Sequence, residues 1–453
     1  MNKVYEYIEQ NKEKYLEDLF SFLSQKSIST IDEGVTECAE LLSKMMEEVG
    51  IKSKVYKTDR HPIVYGEVIT DEKLPTILVY GHYDVQPPEP LELWESDPFK
   101  PEIRGDKIYA RGSSDDKSQL LAHIKGLQAY KETVGKLPVN LKYIFEGEEE
   151  IGSPNLLPFV LEHKELLKSD VAVSSDGDIH ESGKPIIVLG LKGLCEVELI
   201  VKGANRDLHS KKAPVIPNPA WRLVSLLNTL KGEDGIVKIK GFYDDVRELS
   251  ELEIKAVSKI PLDEKQILDD LEIKNLLENR TGKDYYYNLI FEPTCNIAGL
   301  YSGYSGEGSK TIIPNIASVK IDMRLVPDQK PEVIIEKLKR HLEKHGYDDV
   351  EIKEFSQIKP SRTPIENKYV NIVEEAVTEA WGEKPLIYPG TGAAGPNFVF
   401  TDHLNIPVII VPFAASDNNN HAPNENMIVK GYINGIKTSA TIIDKIGKTR
   451  KKM

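Results

Sequence analysis

The chain has 453 residues, 40% of them apolar and 29% charged, with a formal net charge of −14. That length exceeds one hydrophobic core and predicts two domains; the acidic balance excludes a general nucleic-acid binder, which needs a basic face; and no stretch approaches the roughly 20 apolar residues of a membrane span. Three widely spaced cysteines, Cys38, Cys195 and Cys295, make no disulfide framework. With a charged N-terminus that lacks an apolar signal core, they predict a cytoplasmic protein.

Taken in order, Tyr5, Ile8, Tyr15, Leu16, Leu19, Phe20 and Leu23 recur at helical spacing and predict one helix over 3–25. A second stripe of Cys38, Leu41, Leu42, Met45, Met46 and Val49 closes at Gly50 and makes Cys38 a core residue. Short strands are expected at 54–56 and 63–67, then a buried strand over 76–80 that ends in Gly81, just before His82 and Asp84. Strand alternation puts His82 and Asp84 on one face, and a histidine beside a carboxylate at a strand end is what a metal site needs. Asp115 and Asp116 follow in a Gly- and Ser-rich loop before a helix over 118–134. The strand over 139–145 runs into Glu146-Gly-Glu-Glu-Glu-Ile-Gly-Ser153, and the strand over 171–175 runs into Asp176.

Four glutamates in isolation read as a solvated turn. Here three strands of one sheet bring His82 with Asp84, then Glu148, Glu149 and Glu150, then Asp176 to a common edge. Clustered carboxylates repel one another and lose solvation unless a cation compensates, so the edge reads as a metal site. The alternation of strands and helices predicts an α/β domain with a mostly parallel sheet, and sites in such sheets lie beyond the carboxyl ends of the strands.

Around residue 190 the pattern changes. A strand over 195–201, a helix over 218–231, a charged helix-rich region over 234–290, strands at 296–300 and 318–325, a helix over 331–345 and a strand at 350–356 follow. Strand–helix–strand twice over predicts an inserted α+β domain over 194–358. A helix over 366–381, a Gly-rich loop over 389–396, a strand over 407–411 and the segment around His421 return to the first pattern. The metal-binding catalytic domain is therefore discontinuous, 1–193 and 359–453, and the basic tail over 448–453 is a solvated terminus.

Gly81-His-Tyr-Asp-Val85, Gly112-Ser-Ser-Asp-Asp-Lys117, Glu148-Glu-Glu-Ile-Gly-Ser153, Ser175-Asp176, Asp207-Leu-His-Ser210 and Asn420-His-Ala-Pro-Asn-Glu425 together resemble the M20 family of dinuclear metallopeptidases, in order along nearly the whole chain. The long insert, with Thr311-Ile-Ile-Pro-Asn-Ile-Ala317 and Met323-Arg-Leu-Val-Pro327, is most similar to the carnosinase-type dipeptidase branch. The resemblance implies two divalent ions, Zn²⁺ foremost with Mn²⁺ or Co²⁺ as substitutes. Asp115 would bridge them, one ion also taking His82 and Asp176 and the other Glu150 and His421. Asp84 would orient the His82 ring, and Glu149 would activate a metal-bridging water and pass its proton to the leaving amine. Asp116 would support the loop, with a cis bond between it and Asp115. The insert over 194–358 would be an α+β (ferredoxin-like) lid or dimerisation domain, from which His209 would reach the partner subunit's site in a homodimer and stabilise the oxyanion. Arg324 would pair with a terminal carboxylate, Asn296 would touch the substrate or the oxyanion, and Gly392 would sit in the substrate loop.

That loop departs from the carnosinase-type pattern, with Tyr388-Pro389 and Ala393-Ala394 in place of an Arg-Glu pair and a serine. The expected activity is hydrolysis of the amide bond of dipeptides or similar short peptides; the alternative is a deacylase of N-acetyl or N-succinyl amino acids using the same metals. No nucleic-acid or membrane partner is expected. Of the remaining histidines, His123, His163, His341 and His345 are expected on helix surfaces, and His61, His180 and His403 are read as structural.

Overall fold

The runs at 63–66, 77–80, 143–145, 171–173 and 408–410 are rich in β-branched and aromatic residues, and all of them are buried. In the computed structural model, which describes residues 1–449, they build an eight-stranded sheet. Its order from edge to edge is Lys52–Tyr56, Ile63–Val68, Asn140–Glu146, Thr76–His82, Val171–Ser174, Val408–Ile410, Ile186–Val188 and Leu386–Tyr388. The four strands from Asn140–Glu146 to Val408–Ile410 run parallel, while antiparallel pairings lie to either side. The sheet is mixed, and its parallel centre ends on one edge.

Six helices cover one face, with Cys38, Leu42, Leu121, Val373 and Ile436 in a common core. The other face packs on Phe159, Val257, Tyr286, Ile290 and Phe400. The helices Glu251–Val257 and Lys283–Phe291, from the charged stretch, thus lie against the eight-stranded sheet.

The strands Asn296–Ser302, Ile316–Leu325, Gly193–Lys202 and Glu351–Ile358 form a separate antiparallel sheet, in that order. Its alternation is regular: in Gly193–Lys202 the side chains of Cys195, Val197 and Leu199 go inward. They meet the helices Pro219–Leu230 and Pro331–Lys344 through Leu223, Leu226, Ile335 and Leu338. Strand Asn296–Ser302 is exposed along nearly its whole length.

Several expectations are corrected. The single helix over 3–25 is two, Asn2–Gln10 and Lys12–Ser24, because Asn11 leaves helical geometry and its amide caps the Tyr7 carbonyl at 2.8 Å. Asparagine competes for backbone groups and so ends helices. His123 is buried, since helix Lys117–Val134 is enclosed nearly all round; its ring bonds the Ser175 hydroxyl at 2.7 Å, and burial pulls its pKa down to about 4. His341 is also buried, on the Thr229 hydroxyl at 3.0 Å. His163 is half-buried against Phe159, whereas His345 is exposed. The three-residue strands Ile186–Val188 and Leu386–Tyr388 were too short to show a period. Residues 450–453 of the basic tail lie outside the described residues.

Candidate active site

Thr76–His82 and its parallel neighbours deliver their carboxyl ends side by side, with His82 in register with Glu146. Gly81 allows the next approach: a Cβ there would come within 2.8 Å of Asp116 Oδ2. That same oxygen accepts from the His82 backbone N–H at 3.3 Å. The Asp115–Asp116 peptide is cis, as expected.

Two groups of side chains converge. His82, Asp115 and Asp176 bring a ligand atom each within 4.8 Å of one another, and so do Asp115, Glu150 and His421. Asp115 belongs to both. His82 Nε2 lies 2.9 Å from Asp115 Oδ1 and 4.0 Å from Asp176 Oδ2. His421 Nε2 lies 3.1 Å from Asp115 Oδ2 and 3.3 Å from Glu150 Oε2. His421 takes a left-handed backbone, φ 58°, in the loop after Asp417. Non-glycine residues there are strained, and such strain gathers at functional sites.

Contacts behind these groups fix them. Asp84 is fully buried; its Oδ1 lies 3.3 Å from His82 Nδ1, and its carboxylate accepts the N–H groups of Glu149 and Glu150 at 3.2 and 3.1 Å. One carboxylate thus ties the histidine strand to the glutamate turn. The four glutamates divide their work. Glu146 accepts from the hydroxyls of Tyr80 and Ser153, and burial lifts its carboxyl to about 8. Glu148 clamps the His61 N–H and the Asn155 side chain. Glu150 accepts from Gln86 Nε2 at 2.8 Å. The Glu149 carboxylate has no hydrogen bond or ion pair among the described residues. Burial pushes its pKa well up, with Asp176 and Glu150 adding to the rise against the pull of His82.

The donor set fits divalent cations. Buried His82 Nε2 has no partner in hydrogen-bond geometry. Burial and then Asp115 lift the Asp176 carboxyl to about 7, and hydrogen bonds to Asp115 and Glu150 lift His421 to about 10. The pocket concentrates negative charge and draws in protons where a cation would satisfy it.

Three supports were missed. Glu425, fully buried, accepts from Arg111 Nη1, the Ser114 hydroxyl and the N–H groups of Gly112, Ser114 and Asp115, all at 3.1 Å or less. It ties the His421 loop to the Asp115 loop. Gln119 bonds the carbonyls of Ser114 and Gly177 and the N–H of Phe413, joining three loops. Gln86 is the third. Glu425 closes the Asn420-to-Glu425 motif, so its position carried a signal; the two glutamines left none.

The other predicted residues belong to neither ligand group. His209 is exposed, in the short strand Leu208–His209, where its Nδ1 accepts from the Lys211 N–H. Asn296, also exposed, donates to Asp322 Oδ2 at 2.9 Å. Arg324 and Gly392 line one cavity of about 320 Å³.

A family model described as peptidase family M20/M25/M40 matches residues 78–445. A crystal structure of an M20 family metallo-carboxypeptidase from Sulfolobus solfataricus superposes with a TM-score of 0.91 at 37% identity, covering 96% of this chain and 99% of that one. The Cys-Gly metallodipeptidase of Schizosaccharomyces pombe is 27% identical over 98% of each chain. The structure of human carnosine dipeptidase 1 has a TM-score of 0.82 at 25% identity, covering 99% of this chain and 98% of that one.

Proposed function

We propose, from the premise that this chain belongs to the peptidase family M20/M25/M40, that it hydrolyses the amide bond of dipeptides and similar short peptides at a centre of two divalent cations. One observation carries the reading: Asp115 is shared by two three-residue ligand groups, and the Glu149 carboxylate, unpartnered among the described residues, feels the charges of His82, Asp176 and Glu150. His82, Asp115 and Asp176 would hold one cation and Asp115, Glu150 and His421 the other; imidazole with carboxylate suits Zn²⁺, with Mn²⁺ or Co²⁺ as substitutes. When bound, such a pair polarises the scissile carbonyl and acidifies the attacking water.

The chain's own residues do the rest. Glu149 takes the proton from the attacking water and carries it to the leaving amine; freedom from any partner suits that shuttle. Asp84 holds His82 by its Nδ1 and holds the turn that presents Glu149 and Glu150. Arg324 receives the substrate's terminal carboxylate, assisted by backbone N–H groups near Gly392, and Asn296 lies on the substrate side.

His209 acts in the partner subunit of a homodimer, donating to the oxyanion. In support, Ile297, Leu300 and Tyr301 on the strand Asn296–Ser302 are 50%, 52% and 59% exposed, an unpaired apolar edge suited to a second copy of residues 194–358. A cytoplasmic location is supported by three free, buried cysteines.

The likeness to a carboxypeptidase favours a second reading, removal of the C-terminal residue from longer peptides. Both readings require a free terminal carboxylate. The test is a panel of dipeptides, longer peptides, C-terminal amides and N-acetyl and N-succinyl amino acids, assayed after chelation and again after adding Zn²⁺ or Mn²⁺. Dipeptides should be cleaved only with metal, and amides poorly. Faster turnover of N-acyl amino acids would make the chain a deacylase instead.

A further inference from the structure

The cavity of about 320 Å³ lies where the Gly-rich loop, the helix Lys283–Phe291 and the strand Ile316–Leu325 meet. One wall is cationic, with Lys192, Arg280 and Arg324 against the single carboxylate of Glu292. Two of the three cations are engaged. Arg280 pairs with Glu278 and Glu292, and Lys192 Nζ donates to the Glu292 carbonyl at 2.5 Å. Among the described residues Arg324 has only Asp322 Oδ1, 3.9 Å from its Nε. Its guanidinium is the group of this wall left for an anion.

Apolar side chains line the same cavity. Leu277 and Leu289 are 66% and 44% exposed, with Leu276 and Tyr285 beside them. Gly392 presses close to one of them: a Cβ on it would lie 3.2 Å from Leu289 Cδ1. Large aliphatic side chains left wet beside an under-used guanidinium mark a surface that a ligand covers.

We propose that this cavity takes the side chain of the substrate's C-terminal residue and selects a bulky apolar one. This rests on the reading of Arg324 as the carboxylate anchor. The carboxylate and the side chain of one residue leave the same Cα, so their two receptors must lie within one residue's reach. Arg324 and Leu289 meet that condition, since they line one cavity. A C-terminal leucine or phenylalanine would cover Leu277 and Leu289. Glycine would leave them wet, and a lysine side chain would meet the cationic wall.

The metal-loaded enzyme is assayed for kcat/KM on Ala-Leu, Ala-Phe, Ala-Gly and Ala-Lys. Ala-Leu should exceed Ala-Gly by about tenfold or more, since apolar pockets discriminate on that scale. Leu277→Gln and Leu289→Gln, both at solvent-exposed positions, should bring that ratio toward one. A reduction by either variant supports the assignment. A wild-type ratio near one, or a ratio unchanged in both variants, overturns it. Failure to cleave any of the four dipeptides would count against the peptidase reading itself, a separate result.

Discussion

The carboxyl edge of the eight-stranded sheet and the segments within 194–358 that carry His209, Asn296 and Arg324 differ in how they hold their candidate residues. At the first, Asp84 braces His82 and the glutamate turn, and Glu425 braces Asp115. At the second, His209 and Asn296 stand exposed with only local partners, and Arg324 has one distant carboxylate. A preorganised charge cluster is complete within one chain. The exposed set fits the roles proposed for it, in which a substrate or a second subunit is brought to it.

The comparison breaks most directly at Glu149. Glu149→Ala should lower kcat by about 10³-fold, within the range of lost general-base catalysis, while metal content stays at the wild-type level. Loss of metal instead would exchange the roles of Glu149 and Glu150. His209→Ala tests the other region. It should cost about 10²-fold or more in kcat, the scale of an oxyanion donor. Mixed with Glu149→Ala chains, it should regain activity, because a hybrid dimer contains one intact site. Hybrids as inactive as both parents would remove His209 from the partner's site.

Asp84→Asn sharpens the contrast by weakening a brace without replacing a proposed ligand. Metal affinity should fall about 10–100-fold, as for other groups behind a ligating histidine. Unchanged affinity in a metal titration would make that brace dispensable.

The smallest effect concerns pH. In the metal-free chain Asp176 is lifted from 3.8 to about 7 by burial and by Asp115, and His421 from 6.5 to about 10 by hydrogen bonds to Asp115 and Glu150. Both groups bind protons more tightly folded than unfolded. Their contribution is therefore present at low pH and lost as pH rises through the folded values. Their side chains are 37% and 53% exposed, so water weakens the effect. The metal-free Tm should decline from about pH 6.5 to pH 8, above the range in which buried His123 titrates with the opposite sign and below that of Lys192, and adding Zn²⁺ should abolish the decline. A metal-free Tm that rises over that interval would contradict the charge crowding.

What was legible in the sequence follows the same division. His82, Glu150 and Asp176 come together largely because buried strands end where they do, and the apolar runs show those ends; Asp115 and His421 sit on loops that Glu425 ties together. The acids alone would not have sorted themselves. Glu146, Glu148, Glu149 and Glu150 look alike in sequence and are separated only by the 3-10 turn Glu149–Ile151 and by what lies behind each. His123 and His341 were misplaced because helical spacing shows one apolar face, whereas the covering of the other face comes from helices distant in sequence, such as Val429–Lys448 over His123. Gln119 and Gln86 act through amides that could stand on any surface. For His209 and Asn296, the proposed partners are a second subunit and a substrate, which one chain does not display.

The sharing of Asp115 is the feature on which the account depends, and bound metal per chain measures it. About two ions are expected for the wild type, about one for Asp176→Asn, and fewer than one for Asp115→Asn, because the bridging carboxylate serves both ions. An Asp115→Asn chain that is folded and still holds one ion as tightly as the wild type would contradict it.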